Sequence, residues 1–112
     1  MTSITIYDAG DLVLVAFPHT VGTVATYRPA LVIVDNGDSD VLLARVTTQI
    51  HQSPYDILIS DWRGAGLLAP SVLRLHKLAT LEKSLVRRRL GSLQRIDRSS
   101  VSEAFGRMLG NW

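Results

Sequence analysis

Between Gly10-Asp11 and Pro18 lies an almost wholly apolar run, Leu12-Val13-Leu14-Val15-Ala16-Phe17. It is rich in β-formers and reads as a buried strand. The same grammar recurs along the chain. Arg28-Pro29 opens a second run, Ala30-Leu31-Val32-Ile33-Val34, with the proline where a ladder donor is dispensable. Asp35-Asn36-Gly37-Asp38 is a turn signal suited to a tight hairpin. Strands are then expected at 41–47, at 57–59, at 71–78 and at 85–93. The segment from His19 to Tyr27 reads as a loop.

The last element has a different period. Ser100 and Glu103 have capping-box spacing, and Val101, Ala104, Phe105, Met108 and Leu109 recur as on one face of a helix. Several short strands followed by one amphipathic helix predict a mainly β chain: a small, strongly bent antiparallel barrel with a C-terminal helix. The apolar helix stripe is read as core packing.

Composition bounds the rest. At 112 residues one core is expected, hence one domain over residues 1–112; a domain of this size buries roughly 65% of its unfolded surface. Charged residues are 20% and hydrophobic ones 46%, ordinary for a globular chain. With no cysteine there is no disulfide scaffold and no thiolate-bound metal. No apolar run approaches the ~20 residues of a membrane span, and Met1-Thr2-Ser3-Ile4-Thr5 lacks the basic start of a signal peptide. A cytoplasmic protein with no membrane partner is the expectation. Net charge is only +2, but Arg87, Arg88 and Arg89 adjoin, with Arg95 and Arg98 behind. Such a run either holds phosphates or is a solvated basic edge.

Gly10-Asp11-Leu12-Val13-Leu14-Val15 with Phe17-Pro18, then Arg28-Pro29-Ala30-Leu31-Val32, resembles the opening of the MazF/PemK toxins. Val46-Thr47-Thr48-Gln49-Ile50 is similar to their third-strand motif. Trp62, Gly66-Leu67, Pro70-Ser71, Val72-Leu73-Arg74 and the ending Leu90-Gly91-Ser92-Leu93 follow in family order. The resemblance covers residues 8 to 110. It implies an SH3-like barrel of the PemK/CcdB type, a homodimer, and an endoribonuclease toxin that cuts single-stranded RNA without metal or other cofactor. It also implies a cognate antitoxin whose tail covers the RNA groove.

By the same resemblance the catalytic pair is Arg28 and Thr47. Metal-free RNA cleavage uses the adjacent 2′-OH and needs a base, charge stabilisation at phosphorus and an acid for the leaving 5′-oxygen. A permanently charged planar guanidinium suits the second task, so Arg28 is expected to hold the phosphate; the bland alternative is a surface ion pair. Thr47 can donate to a phosphate oxygen, or serve only as a β-former. Thr48 points to the opposite face, and Gln49 shares the Thr47 face if the strand continues. In Val72-Leu73-Arg74-Leu75-His76 the leucines face inward, so Arg74 and His76 share the outer face. Some PemK-type members carry an acid where His76 stands. Histidine titrates near pH ~6.5, so His76 is a candidate for proton transfer, against the plainer reading of an exposed strand histidine. Arg74, Gln49, Thr20, Tyr27, Ser71 and His19 are candidate RNA contacts, Tyr27 by stacking on a base. The histidines lack ligand-pair spacing, so no metal site is expected.

Two other readings share the fold. One is a CcdB-like topoisomerase poison, which the terminal Trp112 resembles in isolation. The other is a catalytically silent relative that binds its antitoxin. Fold alone does not separate them.

Overall fold

The computed structural model describes residues 5–17 and 26–112. Its strands are β1 (Asp11–Phe17), β2 (Thr26–Val34), β3 (Asp40–Thr47), β4 (Asp56–Leu58), β5 (Val72–Glu82) and β6 (Val86–Ser92), with a 3-10 turn at Lys83–Leu85 and one helix, α1 (Arg95–Leu109). They form one antiparallel sheet in the order β4-β5-β3-β2-β1-β6. The expected mainly β architecture is present as an open barrel, since β4 and β6 remain unjoined edges. No helix among the described residues is long and apolar enough to cross a membrane.

Each strand sends alternate side chains to the two faces of the sheet, and both faces are covered. On the first face Leu12, Leu31, Ala44, Val46, Leu73 and Leu75 pack under α1 and the 57–67 segment, against Val101, Phe105, Met108 and Trp62. On the second, Val13, Val15, Ala30, Val32, Val41 and Leu43 are enclosed by Tyr7, Phe17, Leu81, Leu85 and Val86. The strand runs are therefore apolar at nearly every position, the pattern of a sheet buried on both sides.

Three sequence expectations change. Helix α1 begins at Arg95, with Gln94 as N-cap, not at Ser100. Ser100 lies inside it and its hydroxyl donates to the Ile96 carbonyl at 3.3 Å. The earlier turn is stabilised from outside: Asp97 is 1% exposed and accepts the amides of Ser60 and Asp61 at 2.8 and 2.9 Å. Secondly, β2 starts at Thr26, so Tyr27 is a strand residue and not part of a loop. Thirdly, β5 runs on to Glu82, past a register shift between its pairs with Ala44 and Arg45.

Close approach demands glycine at Gly66. Its φ is +90°, and a β-carbon there would collide with the Leu90 carbonyl on β6. This contact seats the 62–67 turn against the barrel.

Candidate functional site

The pairing of β2 with β3 ends at Ala30↔Arg45. Carrying that register two residues further sets Arg28 across from Thr47. Here β2 is bonded only to β1, through Val15↔Arg28 and Leu14↔Pro29, so the missing amide of Pro29 leaves no gap on the β3 side. The sheet splays at this point. A hollow of about 400 Å³ opens there, lined by Phe17, Arg28, Leu43, Arg45, Lys77 and Leu78 among others.

Arg28 is exposed, and its guanidinium takes no hydrogen bond or ion pair among the described residues. The surface ion pair considered from sequence is not formed with any of them. Arg45 and Lys77 are also exposed beside it. Three exposed cations thus surround a largely apolar floor, and their fields add at an anion placed among them.

Thr47 ends β3 on the same face, 5% exposed. Its Oγ1 accepts the Gln49 amide at 3.1 Å, which leaves the hydroxyl proton to donate. The strand does not continue past Thr47, so Gln49 sits in a bend, exposed, and not in line with Thr47 along a strand. Thr48, also in the bend, lines a hollow with Leu14 and Pro29 on the other face of the sheet.

Arg74 on β5 lies between Arg45 and Asp56 in register. Its Nε donates to Asp56 Oδ1 at 2.8 Å, with the two side chains 15% and 1% exposed. Arg74 and His76 do share a face: an Arg74 η nitrogen lies 3.4 Å from His76 Nε2. A guanidinium can only donate, so in this contact Nε2 is the acceptor. The ring's Nδ1 is buried and meets no partner among the described residues. The Tyr55 ring packs beside His76, with centroids 5.8 Å apart.

Burial alone would push the Asp56 carboxyl up. The hydrogen bonds of Arg74 and Ser53, helped by the Arg74 charge, outweigh it and hold Asp56 below the usual carboxylate range. Asp56 was not singled out from the sequence. Its signal is the pairing across β4 and β5, which no local motif carries.

The remaining candidates separate from this cluster. Tyr27 alternates to the first face, where the Arg87 guanidinium lies 5.2 Å from its ring centroid. Ser71 is 3% exposed and its hydroxyl donates to the Ala69 carbonyl at 2.8 Å. It lines a second hollow of about 320 Å³ with Leu14, Pro29, Thr48, Leu67 and Arg88. His19 and Thr20 lie outside the described residues. The basic run is divided: Arg87 covers Tyr27, Arg88 lines that second hollow, and Arg89 is tied to Asp11 at 3.1 Å and to Ser92 at 2.7 Å. Among the described residues no three His, Cys, Asp or Glu side chains gather as a metal site.

Residues 8–109 match the family model described as PemK-like, MazF-like toxin of type II toxin–antitoxin system. A comparison with curated proteins finds no match. Among solved structures, a MazE–MazF complex from Deinococcus radiodurans is similar, with a TM-score of 0.76 at 23% identity over 95% of this chain and 97% of that one. An endoribonuclease in complex with its cognate antitoxin, from a mycobacterial species, gives 0.71 at 19% identity over 90% and 92%. The Mycobacterium tuberculosis toxin MazF-mt6 gives 0.73 at 18% identity over 89% and 96%. At these identities the likeness establishes the fold.

Proposed function

Because the chain belongs to the PemK-like, MazF-like toxins of type II toxin–antitoxin systems, we propose that it is a metal-independent endoribonuclease that cuts single-stranded RNA at preferred sequences in the cytoplasm. The nucleophile is the substrate's own 2′-OH. As the bond from O2′ to phosphorus forms, the 2′ proton leaves to a base. The bond from phosphorus to O5′ then breaks and O5′ takes up a proton, leaving a 2′,3′-cyclic phosphate and a 5′-OH. No water is consumed in this step, and DNA, lacking the 2′-OH, is not a substrate.

The observation that carries this reading is the Arg28 guanidinium. It is exposed, has no partner among the described residues, and is one of three cations around an apolar-floored hollow. It neutralises the charge that builds on the phosphate oxygens. Thr47, across the splay from it, donates its hydroxyl proton to the same phosphate. His76 gives up its Arg74 contact at Nε2 to take the 2′ proton, the other ring nitrogen being sealed in the protein. Arg74 and Gln49 contact the RNA strand, whereas Tyr27, on the other face of the sheet, meets RNA further from the scissile bond; His19 and Thr20 are further RNA contacts. Ser71 is left out of the contacts, since its hydroxyl is committed to Ala69.

Two protein partners complete the proposal. Leu58, Leu78 and Ile50 are exposed at 66%, 43% and 80%, and a two-fold homodimer covers part of such apolar surface. A cognate antitoxin supplies apolar anchors and acidic residues to the cationic hollow, and competes with RNA for it. The mycobacterial relative is seen with its cognate antitoxin.

The test is incubation of the pure protein and its Arg28→Ala variant with mixed single-stranded RNA in EDTA, followed by end-group analysis. Cyclic-phosphate and 5′-OH ends that vanish in the variant are the expected result. Intact RNA with folded protein would turn the assignment to a topoisomerase poison or a silent toxin relative.

A further inference from the structure

The cation row of the site contains an anion. Across β4, β5 and β3 the register reads Asp56, Arg74, Arg45. Two arginines directly opposite on one face repel, and Asp56 offsets that repulsion from the far side. Its carboxylate is 1% exposed on a three-residue edge strand, a place that ordinarily keeps charges in water. The 53–56 turn is built to hold it there. The Asp56 amide donates to the Ser53 carbonyl at 3.1 Å, the Tyr55 amide to the Ser53 hydroxyl at 3.2 Å, and the Leu75 amide to the Tyr55 carbonyl at 3.0 Å.

The attachment point matters. Asp56 takes Arg74 by Nε and leaves the η nitrogens free of the carboxylate, one of them beside His76 Nε2. An arginine gripped by Nε loses most of its rotational freedom and keeps donors in a fixed fork. A bidentate pair through both η nitrogens would instead have consumed that fork.

We propose that Asp56 is a positioning residue of the ribonuclease site: it holds Arg74 by Nε so that the η nitrogens meet the RNA phosphate and keep His76 in place. This rests on the ribonuclease reading above. The depressed carboxyl of Asp56 fits it, because the same contacts favour the anion that grips Arg74.

The experiment is steady-state cleavage of a single-stranded RNA by the full chain, with folding of every variant verified by near-ultraviolet circular dichroism. Asp56→Ala is expected to lower kcat roughly thirtyfold, with KM within about threefold, since an interaction used in the transition state is lost. Asp56→Asn keeps the shape and one acceptor, folds where the alanine variant fails, and is expected to lose about fivefold. Asp56→Glu restores the charge and recovers most of the rate. In an Arg74→Ala background, Asp56→Asn is expected to change kcat by less than about twofold, because residues acting as one unit are not additive. Unaltered kcat in Asp56→Asn and Asp56→Ala, with wild type active, overturns the proposal and leaves the ribonuclease reading intact. So does a loss in the Arg74→Ala background as large as in wild type. Folded wild-type protein that cuts no RNA overturns both together.

Discussion

On the first face of the sheet, Leu14 and Pro29 lead down to a hollow rimmed by Thr48, Ser71 and Arg88. On the second, Phe17 and Leu43 floor a hollow rimmed by Arg28, Arg45 and Lys77. Both have an apolar base and a cation, and alternate residues of the same strands supply them. They differ in what surrounds the cation. Among the described residues Arg88 is the one cation lining its hollow, near a Ser71 hydroxyl already given to Ala69. Arg28 stands with two further cations, across a splay from Thr47 and on the face of Arg74 and His76. A single arginine over an apolar floor is a binding feature at most. Free and anchored guanidiniums together, with a hydroxyl and an imidazole, are the kinds of group that the proposed phosphoryl chemistry would use.

The largest effect expected from this difference is on turnover. Arg28→Ala is expected to lower kcat by about 100- to 1,000-fold, as removal of one preorganised donor does elsewhere, with little change in Tm. Calorimetry beside single-turnover cleavage checks both halves. Stability should respond in the opposite place. Leu73 is 0% exposed in the first-face core, and Leu73→Ala is expected to cost about 3 kcal/mol in urea unfolding. An effect below ~1 kcal/mol would mean the α1 face is not the packed one.

Asp97→Ala comes next. It removes the buried carboxylate that accepts the part-buried amides of Ser60 and Asp61, a loss of about 2 kcal/mol. Hydrogen exchange at those amides should quicken while the second face stays protected.

What was legible in the sequence follows the range of the interactions. Strand runs at 12–17, 30–34 and 41–47 announce themselves because apolar β-formers are bounded by glycine, proline and Asn-Gly, all local signals. The helix start was not legible. Ser100 and Glu103 imitate a cap, while the residue that fixes the first turn, Asp97, acts on amides 36 and 37 positions away. The pairing of Arg74 and His76 was readable from alternation alone. Arg28 and Thr47 gained their weight from the family resemblance; their juxtaposition needs the β2–β3 register. Asp56 was silent for the same reason as Asp97, since its partner is on another strand.

Acid sharpens the picture of the two faces further. Asp11, Asp35 and Asp56 are all held below the usual carboxylate range. In each, burial pushes the carboxyl up and is outweighed, by the Asp8 amide and Arg89 for Asp11, by Lys83 and the Tyr7 amide for Asp35, and by Arg74 for Asp56. A depressed carboxyl adds stability that is full above its unfolded pKa and is lost as pH falls through its folded one. Stability is therefore expected to hold down to about pH 4 and to fall below it. Urea midpoints taken at descending pH read this directly, and Asp35→Asn should flatten the fall.

The smallest effect expected is from Arg88→Ala: within about 0.5 kcal/mol in stability, as for an exposed residue with no partner among the described residues, and within about twofold in kcat. Side-by-side single-turnover cleavage of one single-stranded RNA by wild type, Arg28→Ala and Arg88→Ala therefore tests the central claim most directly. Activity kept by Arg88→Ala and abolished by Arg28→Ala is the result this assignment requires. Activity kept by Arg28→Ala and lost in Arg88→Ala would place the chemistry on the opposite face and contradict it.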